Sequence, residues 1–279
     1  MTTHEIHPQA ALGFNAAGSY DVHRPNYPSV AIYDLLYEIG VSGMNGARIV
    51  EIGAGTGKFT ELLAARPERY QIQAGEPHAQ MRKVLAEKKL SGVTVVADFA
   101  ENLESVEDGW ADAVVIAQAF HWFATPDTLR EVRRVLRPNA GGLGLIWNVD
   151  DFNAPIDHTP STSYEARLKA IIRSLPNPIN LYRELKWKDV LQSDQQRFFV
   201  HPLRERDLAY ETAFSRESIW DRFATMSQVS KLEGEELQAL KDRVFDALQG
   251  EDVVEDAEGK LRYHGRTVWY WTFHLVAAR

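Results

Sequence analysis

From about residue 29 to residue 150, short β-branched runs alternate with longer segments whose apolar positions recur at helical spacing. "SVAIYDLLYEIG" puts Ile32, Leu35, Leu36 and Ile39 on one face, which predicts a helix with Ser29 as its N-cap after Pro28. Strands are predicted at 47–53, 70–75, 93–98, 111–120 and 142–149. The helices between them fall at 58–66, 79–90 and 126–137, the last with Leu129, Val132, Val135 and Leu136 turned inward and Pro138 beyond its end. Near-continuous apolar strands in this rhythm predict an α/β fold, a doubly wound, mostly parallel sheet covered by helices on both faces.

After Asp150 the rhythm changes. A polar, proline-bearing loop leads to helical segments at 163–174 and 182–192, a strand at 207–214, and helices at 216–226 and 234–249. "KLRYHGRTVWYWTFHLV" (260–276) alternates over its whole length and predicts a last, antiparallel strand. No repeat or linker divides the chain. One domain is therefore expected over 1–279: a leading segment and helix (1–45), a ligand-binding sheet (46–150), and a part that completes the sheet and covers the site (151–279).

Composition narrows the function. The 279 residues are 44% hydrophobic and 25% charged, as in a soluble globular protein. A net charge of -8 offers no basic footprint for nucleic acid or an anionic membrane, so a small-molecule partner is expected. Zero cysteines exclude disulfides, thiolate zinc sites and cysteine nucleophiles. The histidines show no metal-ligand spacing, and no metal is expected. No apolar run approaches a membrane span and the start lacks a secretory pattern, so a cytosolic location is the default expectation.

The chemistry begins at "VEIGAGTGKFTELL" (50–63), where Gly53, Gly55 and Gly57 follow the first strand. The spacing G-x-G-x-G fits neither a dinucleotide fingerprint nor a P-loop. A nicotinamide oxidoreductase would need a glycine three residues after Gly55, where Lys58 stands. Glu51 places a carboxylate beside the turn, which suits a ligand carrying positive charge. Glu76, at the end of the second strand, stands where an acid can accept bonds from both ribose hydroxyls. Together they describe a nucleoside without pyrophosphate and with a cationic, amino-bearing tail, which is the make-up of S-adenosylmethionine.

"VEIGAGTGKFTELL", "GEPH" and "AQAFHWF" resemble the class I S-adenosylmethionine-dependent methyltransferases. With "FNAAGSYDVHRPNYP" the chain looks like the methyltransferase type 11 branch that includes the fungal trans-aconitate and cantharidin methyltransferases. The resemblance runs over residues 14–150. It implies methyl transfer to a carboxylate or hydroxyl of a small acid or secondary metabolite, with S-adenosylhomocysteine as the second product. A protein that binds the cofactor without transferring its methyl, as a scaffold or a cyclase, shares the same turn.

The resemblance also distributes roles. Glu51, Gly53, Ala54 and Gly55 line the methionine half of the cofactor; Glu76 holds the ribose; Pro77 and His78 flank the adenine. Asp98, Phe99 and Ala100 follow the third strand near the adenine edge, with Phe99 either stacked on the ring or part of the core. Gln118 meets the methionine at the end of the fourth strand. Tyr20, Arg24 and Tyr27 belong to a segment expected to fold over the cofactor, where Tyr20 or Arg24 reaches its carboxylate. His121 is either a general base or a structural histidine, and His121, Trp122, Trp147 and Asn148 border the acceptor.

Overall fold

The computed structural model describes residues 26–138, 141–176, 181–193 and 198–274. Tyr20 and Arg24, expected over the cofactor, lie outside the described residues. Seven strands form one sheet: β1 (Arg48–Ile52), β2 (Gln71–Gly75), β3 (Val93–Val96), β4 (Ala113–Ala117), β5 (Gly142–Asp150), β6 (Arg204–Phe214) and β7 (Leu261–Phe273). Their order is β3-β2-β1-β4-β5-β7-β6. The first five are parallel, and β7 runs antiparallel between β5 and β6. The expected architecture is the observed one.

Strand periodicity builds two cores. Val50, Val114, Leu143, Leu145 and Trp147 face one side, against helix α4 (Pro126–Val135). Ile49, Val115, Ile146, Trp269 and Trp271 face the other, against α1 (Ser29–Glu38) and α2 (Lys58–Ala64). Helix α3 (Ala79–Glu87) contributes Leu85 to the second core. A third cluster gathers Phe152, α5 (Ser163–Ser174), α7 (Arg216–Ala224) and α8 (Gly234–Ala247) around Leu261 and Tyr263, where the β6–β7 ribbon extends past β5.

Local departures from the sequence reading have local causes. Ser29 is the first helical residue and Pro28 the N-cap, in extended conformation and without a side-chain cap bond. The segment expected as one helix over 182–192 is a 3₁₀ turn, Tyr182–Glu184, and then α6 (Trp187–Gln192), divided where Leu185 takes a left-handed φ of 57°. Strand β4 stops at Ala117 because Gln118 adopts φ 59° and turns the chain into a 3₁₀ turn at Phe120–Trp122.

Folding also assembles a group invisible in the spacing: Asp151, Glu165 and His264 offer oxygen and nitrogen atoms within 4.8 Å of one another. Asp151 accepts from Ser161 and pairs with His158, while Glu165 accepts from Thr162 Oγ1 and the His264 backbone N–H. With the oxygens so engaged, the group staples the end of β5 and the start of α5 to β7.

Candidate functional site

Sheet order reverses at β1, whose neighbours β2 and β4 leave it in opposite directions, and ligands of such sheets settle beyond the carboxyl ends of those strands. The Gly53 and Ala54 N–H groups donate to the Gly75 carbonyl at 2.9 and 3.0 Å, fixing the glycine turn to the end of β2. Gly53 (φ 69°) is required by packing, since a Cβ there would lie 2.9 Å from Ala119 Cβ. Gly55 (φ 59°) differs: its nearest neighbour would be Met81 Sδ at 3.9 Å. The bend at Gly55 is therefore open, and a ligand can lie against bare backbone there.

Two buried carboxyl groups flank this bend. Glu51 is 1% exposed, and its Oε2 has no hydrogen-bond partner among the described residues. Burial pushes its carboxyl up to about 8; the Thr60 hydroxyl offsets part of the shift without completing a hydrogen bond, and the Glu76 charge adds to it. Glu76 is held open-handed: Oε2 accepts from Gly55 N–H and Oε1 from His78 N–H, each at 2.8 Å. Burial raises its carboxyl too, against the pull of those two N–H groups. Each oxygen keeps a second lone pair for a hydroxyl. Arg82 Nη1 donates to the Glu76 and Pro77 carbonyls at 2.8 Å, so the strand end itself is clamped.

The raised pKa of Glu51 makes stability depend on pH. Between the ordinary carboxylate range and about pH 8 the folded chain holds a proton that the unfolded chain has released, so stability falls as pH rises through that window. A cationic group at Oε2 reverses the preference and expels the proton. Calorimetric titration with S-adenosylmethionine at pH 7, in buffers of different ionisation enthalpy, is expected to show release of up to about one proton and tighter binding toward pH 8. Binding that is independent of pH from 6 to 8.5 would place the cationic end elsewhere.

The remaining residues expected at the cofactor fall as follows. Asp98 accepts from the backbone N–H and hydroxyl of Ser105, which closes its own loop. Phe99 is half-buried and bridges to Asn102. The Ala100 side chain packs in the core, which leaves only its backbone for a ligand. Tyr27, Glu51, Gly53, Gly55, Lys58 and Gln118 line one cleft. Gln118 also borders a second cleft. Its N–H donates to Ile146 O at 2.8 Å and its Nε2 to Asn148 O at 3.0 Å. A strained residue pinned in this way makes a fixed partition between the two spaces.

His121, Trp122, Trp147 and Asn148 all line the second cleft. Trp147 is also core, 1% exposed and stacked 4.7 Å from Trp187. Its Nε1–H donates to His121 Nδ1 at 3.3 Å. A neutral imidazole that accepts at Nδ1 carries its proton on Nε2, so in this arrangement neither ring nitrogen has the open lone pair a base needs. Tyr182, pushed up to about 12 by burial, is no base either. Accordingly His121→Gln, which keeps a donor, is expected to retain turnover within about 10-fold, where loss of a true base costs at least ~100-fold. Steady-state kinetics of His121→Gln beside His121→Ala decide between the two.

Sequence reasoning missed Asn153, Leu181, Tyr182, Thr225, Ser227 and Gln228, which complete the second cleft. They come from the 3₁₀ turns and from the chain just after α7, segments without periodicity. Met226, buried, lines the cleft too.

An open glycine bend between buried carboxylates, separated by one residue from an adjoining cleft, is what the comparisons meet. The residues 50–142 match a family described as methyltransferase domain. This stretch is similar to that family. An uncharacterized methyltransferase-like protein of Schizosaccharomyces pombe is 39% identical over 137 residues, 49% of this chain and 51% of the relative. The chain thus matches about half the length of that relative. The likeness in fold extends further. A provisionally assigned type II methyltransferase from Anaeromyxobacter dehalogenans superposes with TM-score 0.59 at 20% identity, covering 89% of this chain and 97% of that one. The [4+2]-cyclase SpnF superposes with TM-score 0.51 at 16% identity over 96% of each chain.

Proposed function

We propose that this chain binds S-adenosylmethionine along the Gly53–Gly55 bend and transfers its methyl group to an oxygen of a small-molecule acceptor in the adjoining cleft. The observation that carries this reading is the unpartnered, buried Oε2 of Glu51 beside a bend whose Gly55 faces open space. A cationic amino acid moiety satisfies the first and a nucleoside without diphosphate fits the second. Glu76, held by two N–H groups, offers its remaining lone pairs to a ribose.

When bound, the cofactor supplies an already electrophilic methyl group, so the chain's own residues have to position and to exclude. Gln118 stands between donor and acceptor spaces and fixes their separation. The aromatic walls of Trp122 and Trp147 keep water from the reacting line. The resemblance to the trans-aconitate and cantharidin branch favours a carboxylate or hydroxyl of a small acid or secondary metabolite. The acidic balance of the chain disfavours a nucleic-acid acceptor. Among the described residues no helix is long and apolar enough to cross a membrane. A cytosolic setting is part of the same reading.

Isothermal titration with S-adenosylmethionine tests the binding half, and no heat at millimolar cofactor would rule it out. Glu76→Ala is expected to weaken affinity by ~1.5–3 kcal/mol, the usual worth of a hydrogen bond to a charged group. Unchanged affinity in that variant would remove the ribose assignment. Because a cyclase shares the fold, transfer itself is read from S-adenosylhomocysteine formed in step with methylated product.

A further inference from the structure

The second cleft has a chemical bias of its own. Although the chain carries a net charge of -8, none of the described residues lining this cleft is Asp or Glu. Two of its side-chain amides, Asn153 and Gln228, carry N–H groups without a strong acceptor among the described residues. Asn153 Oδ1 accepts from Arg183 Nη1 at 2.6 Å, which leaves the amide Nδ2 facing Met226 Sδ at 3.5 Å, a weak acceptor. Gln228 Nε2 is buried without a hydrogen-bond partner.

Positive charge is stored directly behind. Arg183 is 4% exposed, and its Nε has no hydrogen-bond partner; the Glu184 carboxylate stands 3.5 Å away. Arg173 reaches the Ala154 carbonyl with Nη2 at 3.4 Å, and its buried Nε is also without a partner. Lys169 Nζ donates to the carbonyls of Pro155 and His158. Burial, then the neighbouring Arg173, pulls the Arg183 guanidinium down to about 10. Binding loop carbonyls accounts for Lys169, and Glu184 pairs with Arg183 Nε, but among the described residues Arg173 Nε and the Gln228 amide are left without a hydrogen-bond partner, each at a cost to the fold.

We propose that the Asn153–Gln228 wall is an anion subsite, which holds the acceptor by a carboxylate on the two amide N–H groups, with Arg183 as the positioning residue for Asn153. A carboxylate is the anion that fits: one charge, two oxygens for two neutral donors, and an apolar remainder against Trp122, Trp147 and Leu181. The inference rests on the methyltransferase reading only in naming the ligand as acceptor. Binding itself is measured without cofactor.

The test uses the full chain and the tryptophans that line the cleft as reporters. Sodium acetate, benzoate, succinate and citrate are titrated at constant ionic strength, each beside its neutral amide, by tryptophan fluorescence and calorimetry. At least one acid is expected to bind saturably and at least 10-fold more tightly than its amide. Asn153→Ala and Gln228→Ala should each weaken that acid about 10-fold while leaving the S-adenosylmethionine affinity unchanged. Arg183→Lys should lose part of the preference; if it does not fold, the two amide variants carry the test. No acid preferred over its amide, or an Asn153→Ala/Gln228→Ala double variant that binds the acid like wild type, overturns the subsite. Acid binding with no cofactor binding would instead sink the methyltransferase reading and leave the subsite standing.

Discussion

Gly55→Val is expected to weaken S-adenosylmethionine binding by at least ~100-fold while leaving the fold standing. The two effects separate because of what surrounds this one residue. A side chain at Gly55 meets nothing nearer than Met81 Sδ at 3.9 Å, so it does not disrupt packing. Its methyl groups instead fill the space in which the cofactor lies against the backbone. A β-branched residue at φ 59° carries strain of order 1–3 kcal/mol, within the typical reserve of a domain. Gly53→Val supplies the contrast. There a Cβ lies 2.9 Å from Ala119 Cβ, and the fold itself should suffer. Calorimetry for binding and urea unfolding for stability read the pair. Equal loss of stability in both variants would show that the bend is structural only.

Asp150→Ala should be the most destabilising single change near the site, at about 3–5 kcal/mol. Asp150 and Arg222 are each 2% exposed, and Asp150 Oδ1 accepts from Arg222 Nε at 2.7 Å and Nη2 at 2.5 Å. Tyr263 takes Arg222 Nε at 2.9 Å and Tyr210 donates to Asp150 at 3.3 Å. Removing the carboxylate strands a guanidinium in the interior, a larger penalty than the pair's net worth. The pair also joins the end of β5 to α7, after which the chain gives Thr225, Met226 and Gln228 to the second cleft. The milder Asp150→Asn should therefore raise the acceptor KM more than it changes cofactor affinity. An Asp150→Ala midpoint in urea within 1 kcal/mol of wild type would contradict this account.

Much of the cofactor half was legible because its sequence signals are local. Apolar runs spaced for strands, helices with one inward face, and glycines at 53, 55 and 57 each dictate their structure over a few residues. Glu51 and Glu76 followed from lying at strand ends. What the residues could not show is which lone pairs are taken. Glu76 meets two N–H groups before any ligand, Asp98 is turned to Ser105, and His121 receives the indole of Trp147 from 26 positions away. The acceptor half was hardest to read. Asn153, Tyr182 and Gln228 lie in turns whose amino acids suit many conformations, and only long-range packing brings them together.

The most direct test is a crystal structure of the full chain grown with S-adenosylhomocysteine. The expected map shows the ligand amino group on Glu51 Oε2, its ribose hydroxyls on Glu76, and its backbone-side atoms against Gly55. A bend left vacant at saturating ligand, or the ligand bound away from both carboxylates, would contradict it.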